Sequence, residues 1–395
     1  MKTTLGAGLL ACLFVLACGP TQALALEPDT RHPAGELHLR SGVLINIHHY
    51  ADDDAGDKGL GLGFVELGYR TPEWAGLHLG ALWYGFGKLW ERHAGDFDAC
   101  CVKQQDLREF YAQWRTPFAG TTIQAGRFRM HMSGLDGHSH QGVQITSEPR
   151  PGIGLRAAVI ERWIDNDLVI PNYKGMSGWR DVGDGAHPDA GRELWLASAR
   201  FGIGERAWIQ PFAAYQARRM LLHGIDAAYT QTLANGHSLG IDGTLAIYGN
   251  RTPRDVQPDY EDVLSWLIHA AYGLDDVTLG LGWYGVSDHR GDLGAGIFDW
   301  IDPMTVDEIM PYDDHNHARL LFADALLDLA PLELEVRYGH GVNRALDMNS
   351  QELNLMARYA FTPRLKLSSL IAYNRYTGRR LPDHTRAGLL LTLAY

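Results

Sequence analysis

The chain has 395 residues, a formal charge of −12, 45 glycines, 11 Trp, 17 Tyr and only four cysteines. The acidic balance argues against a partner with a phosphate backbone, which needs clustered Lys and Arg, and so few cysteines rule out a disulfide scaffold. Past the N-terminal segment no run of 18 apolar residues occurs, which excludes membrane-spanning helices, although alternating strands would hide their apolar content from hydropathy averages.

Residues 1–25 read as a signal peptide that is removed on export. Lys2 gives the positive start, Leu9 to Cys18 the apolar run, and Ala23-Leu24-Ala25 the small-x-small cleavage site. Leu16 sits where lipidation of Cys18 would need a small residue. Export then leaves 26–395 as a single domain in which only Cys100 and Cys101 remain, adjacent, as either a strained vicinal disulfide or two residues without a role.

The first strand runs from Glu36 to His49, with Leu37, Leu39, Val43, Ile45 and Ile47 on one face and His38, Arg40, Asn46 and His48 on the other. A polar stretch from Ala51 to Gly59 precedes a second strand ending near Tyr69. Thr71 to Gly76 is a short turn, Leu77 to Trp90 a third strand, and Glu91 to Asp106 a long polar connection. The rhythm continues. Short breaks fall at Pro117–Gly120, Glu148–Gly152, Gly202–Arg206, Ala234–His237, Asp275-Asp276, Ala330-Pro331 and Thr362–Arg364. Between them lie longer connections at His131–Gln141, Ile164–Arg192, Arg219–Ile225, Asn250–Asp262, Ser287–Asn316, Asn343–Ser350 and Thr377–Thr385. The last strand, Arg386 to Tyr395, alternates strictly and ends on an aromatic residue.

Short turns on one side and long loops on the other mark an all-β, antiparallel up-and-down transmembrane β-barrel, with periplasmic turns and outer loops. The count is about eighteen strands, with sixteen the lower figure because Gly202 to Leu239 is poorly punctuated. In hydrocarbon every edge must be paired, so the last strand should close on the first.

Parity then separates lipid from lumen. It turns Arg40, Arg156, Arg162, Arg200, Arg218, Arg337 and Arg358 inward, with Glu66, Glu109, Asp242, Asp324, Glu333 and Glu335. An Arg on the lipid face near the midplane would cost about 2–4 kcal/mol, and nothing comparable penalises it in a wet lumen. Arginines with carboxylates opposite would set a transverse field and select solutes by charge. Tyr69, Trp90, Trp114, Trp163, Phe201, Tyr359, Phe361 and Tyr395 fall at strand ends, as interfacial girdles do.

The stretch Arg127 to Ser147 follows the fifth strand and is the expected constriction, a third loop contributing Arg127, Arg129, His131, Asp136, His138 and His140. Here AGRFRM followed by QGVQITSEPRPGIGLRAAV resembles the OprD-type porins, and YAFTPRLKLSSLIAYNRY with the terminal strand is similar too. The resemblance implies eighteen strands, an inward third loop and an arginine ladder admitting small carboxylate-bearing nutrients. The alginate-export family, another eighteen-stranded barrel with an arginine-lined pore, is a close second and would make the chain a polysaccharide pore.

The expected function is thus an outer-membrane porin of a Gram-negative cell. Its partners would be small hydrophilic solutes, outer-membrane lipid and lipopolysaccharide, and the barrel-assembly machinery; it would bind no nucleic acid and be a monomer or homotrimer. No cofactor is expected beyond loose Ca²⁺ at acidic outer loops such as Asp52–Asp57 and Asp313–His317. Met130, His131, Met132, His138 and His140 could ligate a soft metal, but no Cys or acid completes a fixed geometry, so a polar loop is preferred. Asp136, His138 and Ser139 lack a nucleophile elbow, which counts against the rival class, a rim-active hydrolase. A structural or adhesive barrel is the remaining class, and it would not conduct.

Overall fold

The computed structural model describes residues 35–50, 56–96, 105–118, 120–130, 139–164, 180–182, 191–251, 261–287, 317–344, 347–378 and 383–395. The expected signal peptide, Cys100-Cys101, Asp52–Asp54 and most of the Asp313–His317 stretch lie outside them. β1 (Glu36–Tyr50), β2 (Lys58–Arg70), β3 (Leu77–Glu91), β4 (Gln105–Arg115), β5 (Thr122–Arg129), β6 (Ser139–Arg150) and β7 (Ile153–Ile164) follow one another antiparallel. A two-residue piece, β8 (Arg180–Asp181), pairs with the outer end of β7. β9 (Leu194–Ile203), which also pairs with β7, β10 (Ala207–Gln216), β11 (Met220–Thr232), β12 (Ser238–Asn250), β13 (Val263–Leu274) and β14 (Val277–Val286) continue the wall. β15 (Ala318–Leu329), β16 (Leu332–Asn343), β17 (Met348–Ala360), β18 (Leu365–Thr377) and β19 (His384–Ala394) complete it.

Setting β8 aside, the wall is a closed barrel of eighteen antiparallel strands. Closure runs from Arg40 opposite Ala394 to Tyr50 opposite His384, and the Tyr395 N–H donates to the Leu39 carbonyl at 2.8 Å. Among the described residues no backbone edge is left along the wall, the condition hydrocarbon imposes.

The strands form because apolar residues recur every second position. Val336, Tyr338, Leu353, Leu355 and Ile371 stand exposed on the outer face, while Glu352, Asn354 and Asn374 are buried on the inner one. The inner face is not uniformly polar. Toward the outer end Phe128, Ile160, Leu222, Tyr248, Tyr284 and Leu320 are buried in one apolar cluster, and at the start of β11 Leu221 makes the outer face apolar as well.

That composition accounts for one correction. Arg219–Ile225 is not a long loop: β11 begins at Met220, and the outer turn is only 217–219, with Arg218 in the left-handed region at φ 56°. Met220 and Leu222 are buried while Ile225 is exposed, and a strand apolar on both faces offers no break to read. Arg218 therefore lies in the outer turn and not on the lumen wall. At the opposite rim the Thr71–Gly76 turn tightens to Ala75-Gly76, both at positive φ (49° and 83°), closed by reciprocal bonds between Trp74 and Leu77 at 2.8 and 2.9 Å. This geometry matches the right-handed twist of the strands it joins.

Gly42 faces the closing seam: a Cβ there would run into the Leu391 carbonyl and lie 2.7 Å from the Phe64 ring. Gly42→Val should therefore destabilise the closed form by about 1–3 kcal/mol. Heat-modifiable mobility on gels should shift to the unfolded form at lower temperature, while Gly87→Val, where nothing lies within 4 Å, should not move it.

Candidate functional site

The inward face holds its charges as pairs on neighbouring strands. Glu66 stands directly opposite Arg40, with Nε and Oε2 2.7 Å apart. Arg108 reaches the same carboxylate at 3.5 Å and His38 at 4.0 Å. Glu66 and Arg108 are each 4% exposed, so this is a buried cluster and not a solvated wall. Arg108 arrives by way of a bulge: β3 pairs Leu82 with Glu109 and then Trp83 with Leu107, leaving Arg108 as the extra residue. From there it spans β3 to Glu66, and its Nε donates across β5 to Ser139 Oγ at 3.3 Å. Strict alternation finds Arg40, Glu66 and Glu109 but misses Arg108, because a bulge carries no compositional mark.

A second group lies on β12 to β17. Glu333 stands opposite Arg358 and is in contact with its guanidinium, while Arg337 pairs with Glu335 at 2.9 Å. His269 sits between two carboxylates, Nε2 3.0 Å from Asp324 and Nδ1 3.3 Å from Asp242. It reaches Asp324 across β14, where a Cβ on Gly280 would lie 2.5 Å from both His269 Nε2 and Asp324 Oδ1. Gly282 clears the ring of Phe322 in the same way, and that ring stacks on His269 at 5.6 Å. His269 was missed by parity alone; the inward glycines at 280 and 282 on the strand between are the signal that could have found it.

The remaining arginines divide. Arg200 lies 4.3 Å over the Trp208 ring, and Arg156 faces Thr146 and Ser198 in the ladder. Arg162 is corrected. A bulge between Gln141 and Gly142 in the β6–β7 pairing sets Ile160 opposite Gly142 and Arg162 opposite Gln141. That moves Arg162 to the face of exposed Val143, where it pairs with Asp181 at 3.0 Å.

The constriction residues are likewise redistributed. Arg127 and Arg129 belong to β5 and not to a loop, and the alternation that buries Gln124 and Phe128 turns them to the outer face. Arg127 donates to the Leu107 carbonyl at 3.2 Å and lies 3.7 Å from Asp106. His140 is a strand residue of β6, fully buried in register between Phe128 and Trp163. His131, Asp136 and His138 lie outside the described residues. Among the described residues no three His, Cys, Asp or Glu side chains converge as a metal site requires.

Of the acidic run at the mouth, Asp57 is described. Its Oδ1 is 2.7 Å from His49 Nδ1 and accepts the Tyr50 N–H at 3.2 Å, and its Oδ2 is 2.7 Å from Arg92. Desolvation pushes its pKa upward, but these hydrogen bonds and the Arg92 charge outweigh it and hold the carboxyl below its ordinary value. A depressed carboxylate stabilises the fold above its unfolded pKa and loses that contribution as pH falls through the folded one. The clamp should therefore hold at neutral pH and open only once pH has fallen below the ordinary Asp range. Accelerated amide exchange at Tyr50 beyond the intrinsic pH dependence would report the opening, and Asp57→Asn should remove its pH dependence.

Glu66 supplies the stability test. Glu66→Gln removes the buried carboxylate that Arg108 and Arg40 share, and breaking such a buried pair costs about 3–5 kcal/mol. The unfolding transition in denaturant should shift accordingly, whereas Glu333→Gln, at a more exposed pair, should shift it by under about 1 kcal/mol.

No family model and no curated protein matches the chain. Solved structures do. OccD3 (OpdP) of Pseudomonas aeruginosa superposes with a TM-score of 0.70 at 13% identity, covering 95% of each chain. OccAB4 of Acinetobacter baumannii gives 0.74 at 10% identity over 93% of this chain and 100% of that one. OpdO of Pseudomonas aeruginosa gives 0.71 at 13% over 92% and 97%. At these identities the likeness is one of architecture, and the architecture is the one that the sequence motifs pointed to: the chain has the closed eighteen-stranded fold of the OprD and Occ barrels.

Proposed function

We propose that the chain is an outer-membrane porin of OprD type through which small hydrophilic solutes diffuse, with a preference for those bearing a carboxylate. One observation carries the reading: a closed wall, apolar outside, whose ion pairs Arg40–Glu66, Arg358–Glu333 and Arg337–Glu335 lie on the inward face. On the lipid face an arginine would cost about 2–4 kcal/mol near the midplane; on the inward face that cost is absent, and the Arg40, Arg337 and Arg358 side chains stay partly exposed there. The OprD and Occ fold likeness supports the same reading.

The pairing also suggests how a carboxylate would pass. Arg337 and Arg358 already hold wall carboxylates, so a solute carboxylate exchanges for one of them and the arginine is never left bare. Exchange keeps each well shallow, which conduction needs. Arg156 and Arg200, inward-facing near the starts of the short turns, extend the path toward the short-turn rim. The reading also carries export with removal of residues 1–25, assembly of 26–395 by the barrel-assembly machinery, and a monomeric or homotrimeric state.

Planar bilayers test it. The purified chain should give discrete conductance steps, and a silent, fully folded barrel would overturn the pore. Replacing Arg156, Arg337 and Arg358 together with Gln should lower anion preference in reversal-potential measurements. The effect should shrink near 1 M salt, where the screening length is about 3 Å. Glu333→Gln with Glu335→Gln should move the ratio the other way, and unchanged ratios in both variants would end the arginine-selectivity reading.

A further inference from the structure

Among the described residues of β13–β19, the lipid-facing wall carries charge at one rim only. By register and alternation, the outward face of these seven strands carries no Asp or Glu among the described residues. Its Arg and His side chains are Arg319, His340 and Arg375, each within three residues of the strand end away from the short turns. In a chain of net charge −12 this sorting runs against the overall balance, and a zwitterionic surface would not call for it.

Arg319 is built into its place. On the outer face Trp266, Gly285 and Arg319 are consecutive neighbours across β13, β14 and β15. Gly285 has no side chain, so the Arg319 guanidinium crosses β14 and lies 4.5 Å over the Trp266 ring; a Cβ at Gly285 would collide with that ring. One nitrogen donates to the carbonyl of Ala318 at 2.9 Å and to that of Val286. Trp283 meets Trp266 edge to face at 5.5 Å. In the next row toward the midplane Ile268, Trp283 and Leu321 stand side by side, 52%, 46% and 55% exposed.

We propose that this sector binds a phosphate-bearing lipid of the outer leaflet, its headgroup on Arg319 and Arg375 and its acyl chains along Ile268, Trp283 and Leu321. The inference rests on the outer-membrane reading. Guanidinium is charged at every relevant pH and presents a planar donor array that phosphate accepts. The stacked indole and the two carbonyls hold Arg319 in orientation before a lipid arrives. A zwitterionic headgroup brings its own cation to the same arginines and gains less, and free phosphate has no chains for the apolar row.

Native mass spectrometry of the detergent-purified full chain, titrated separately with bis-phosphorylated lipid A and with phosphatidylcholine, tests this. The wild type should retain lipid A at least about tenfold better, and rising NaCl should strip lipid A but not phosphatidylcholine. Neutralising Arg319→Gln and Arg375→Gln together should weaken lipid A retention roughly fivefold per arginine, whereas Arg319→Lys, which keeps the charge but loses the planar donor array and the stacking, should weaken it less than Arg319→Gln. Equal retention of the two lipids by the wild type, or undiminished lipid A binding by the folded double variant, would overturn the proposal. Should the double variant not fold, the wild-type salt series decides: lipid A binding indifferent to salt overturns it. Conductance of the same preparation is read separately and should be unchanged by Arg319→Gln, so a silent pore and a failed lipid site are distinct results.

Discussion

Everything in this molecule follows from the cost of a bare backbone amide in hydrocarbon, several kcal/mol for each unpaired group. A sheet in that medium has no tolerable edge, so β1 and β19 must meet along their length, and Arg40 comes to lie opposite Ala394. Once the wall is closed, period-2 alternation has only two destinations, lipid or lumen. The charged residues are distributed by that single choice.

The lumen is less simple than alternation implies. Each of two bulges, one in β4 and one in β7, moves an arginine relative to the face that strict alternation assigns it. Arg108 is brought inward to a buried carboxylate and Arg162 is carried outward to Asp181. Bulges re-aim side chains without interrupting a strand, and here they set which arginines lie on the inward face. Gly280, Gly282 and Gly285 work by omission instead: each leaves a gap through which a side chain from the next strand passes.

How much was legible can be judged from particular strands. β16 and β17 alternate cleanly, and their inward Glu333, Glu335, Arg337 and Arg358 were assigned from sequence to the face they occupy. β1 and a short turn within Thr71–Gly76 were equally plain, since composition changes at both ends. The β10–β11 turn was not, because Met220, Leu221 and Leu222 keep both faces apolar. Nor were the bulges, since an inserted residue shifts register with no change in residue type. The His269 cluster depends on pairing across three strands, and local periodicity holds no information at that range.

The gap at Gly280 has a mechanical side. His269 and Asp324 are bonded across β14 with no side chain of that strand between them, so β13 and β15 are strapped together over and above their ladder bonds. For those strands to slide against β14, the imidazole would have to release a carboxylate. A wall stitched in this manner resists shear, and a tube that resists shear keeps its cross-section. In the proposed pore the trace of such stiffness would be a quiet open level, with little low-frequency flicker in the current.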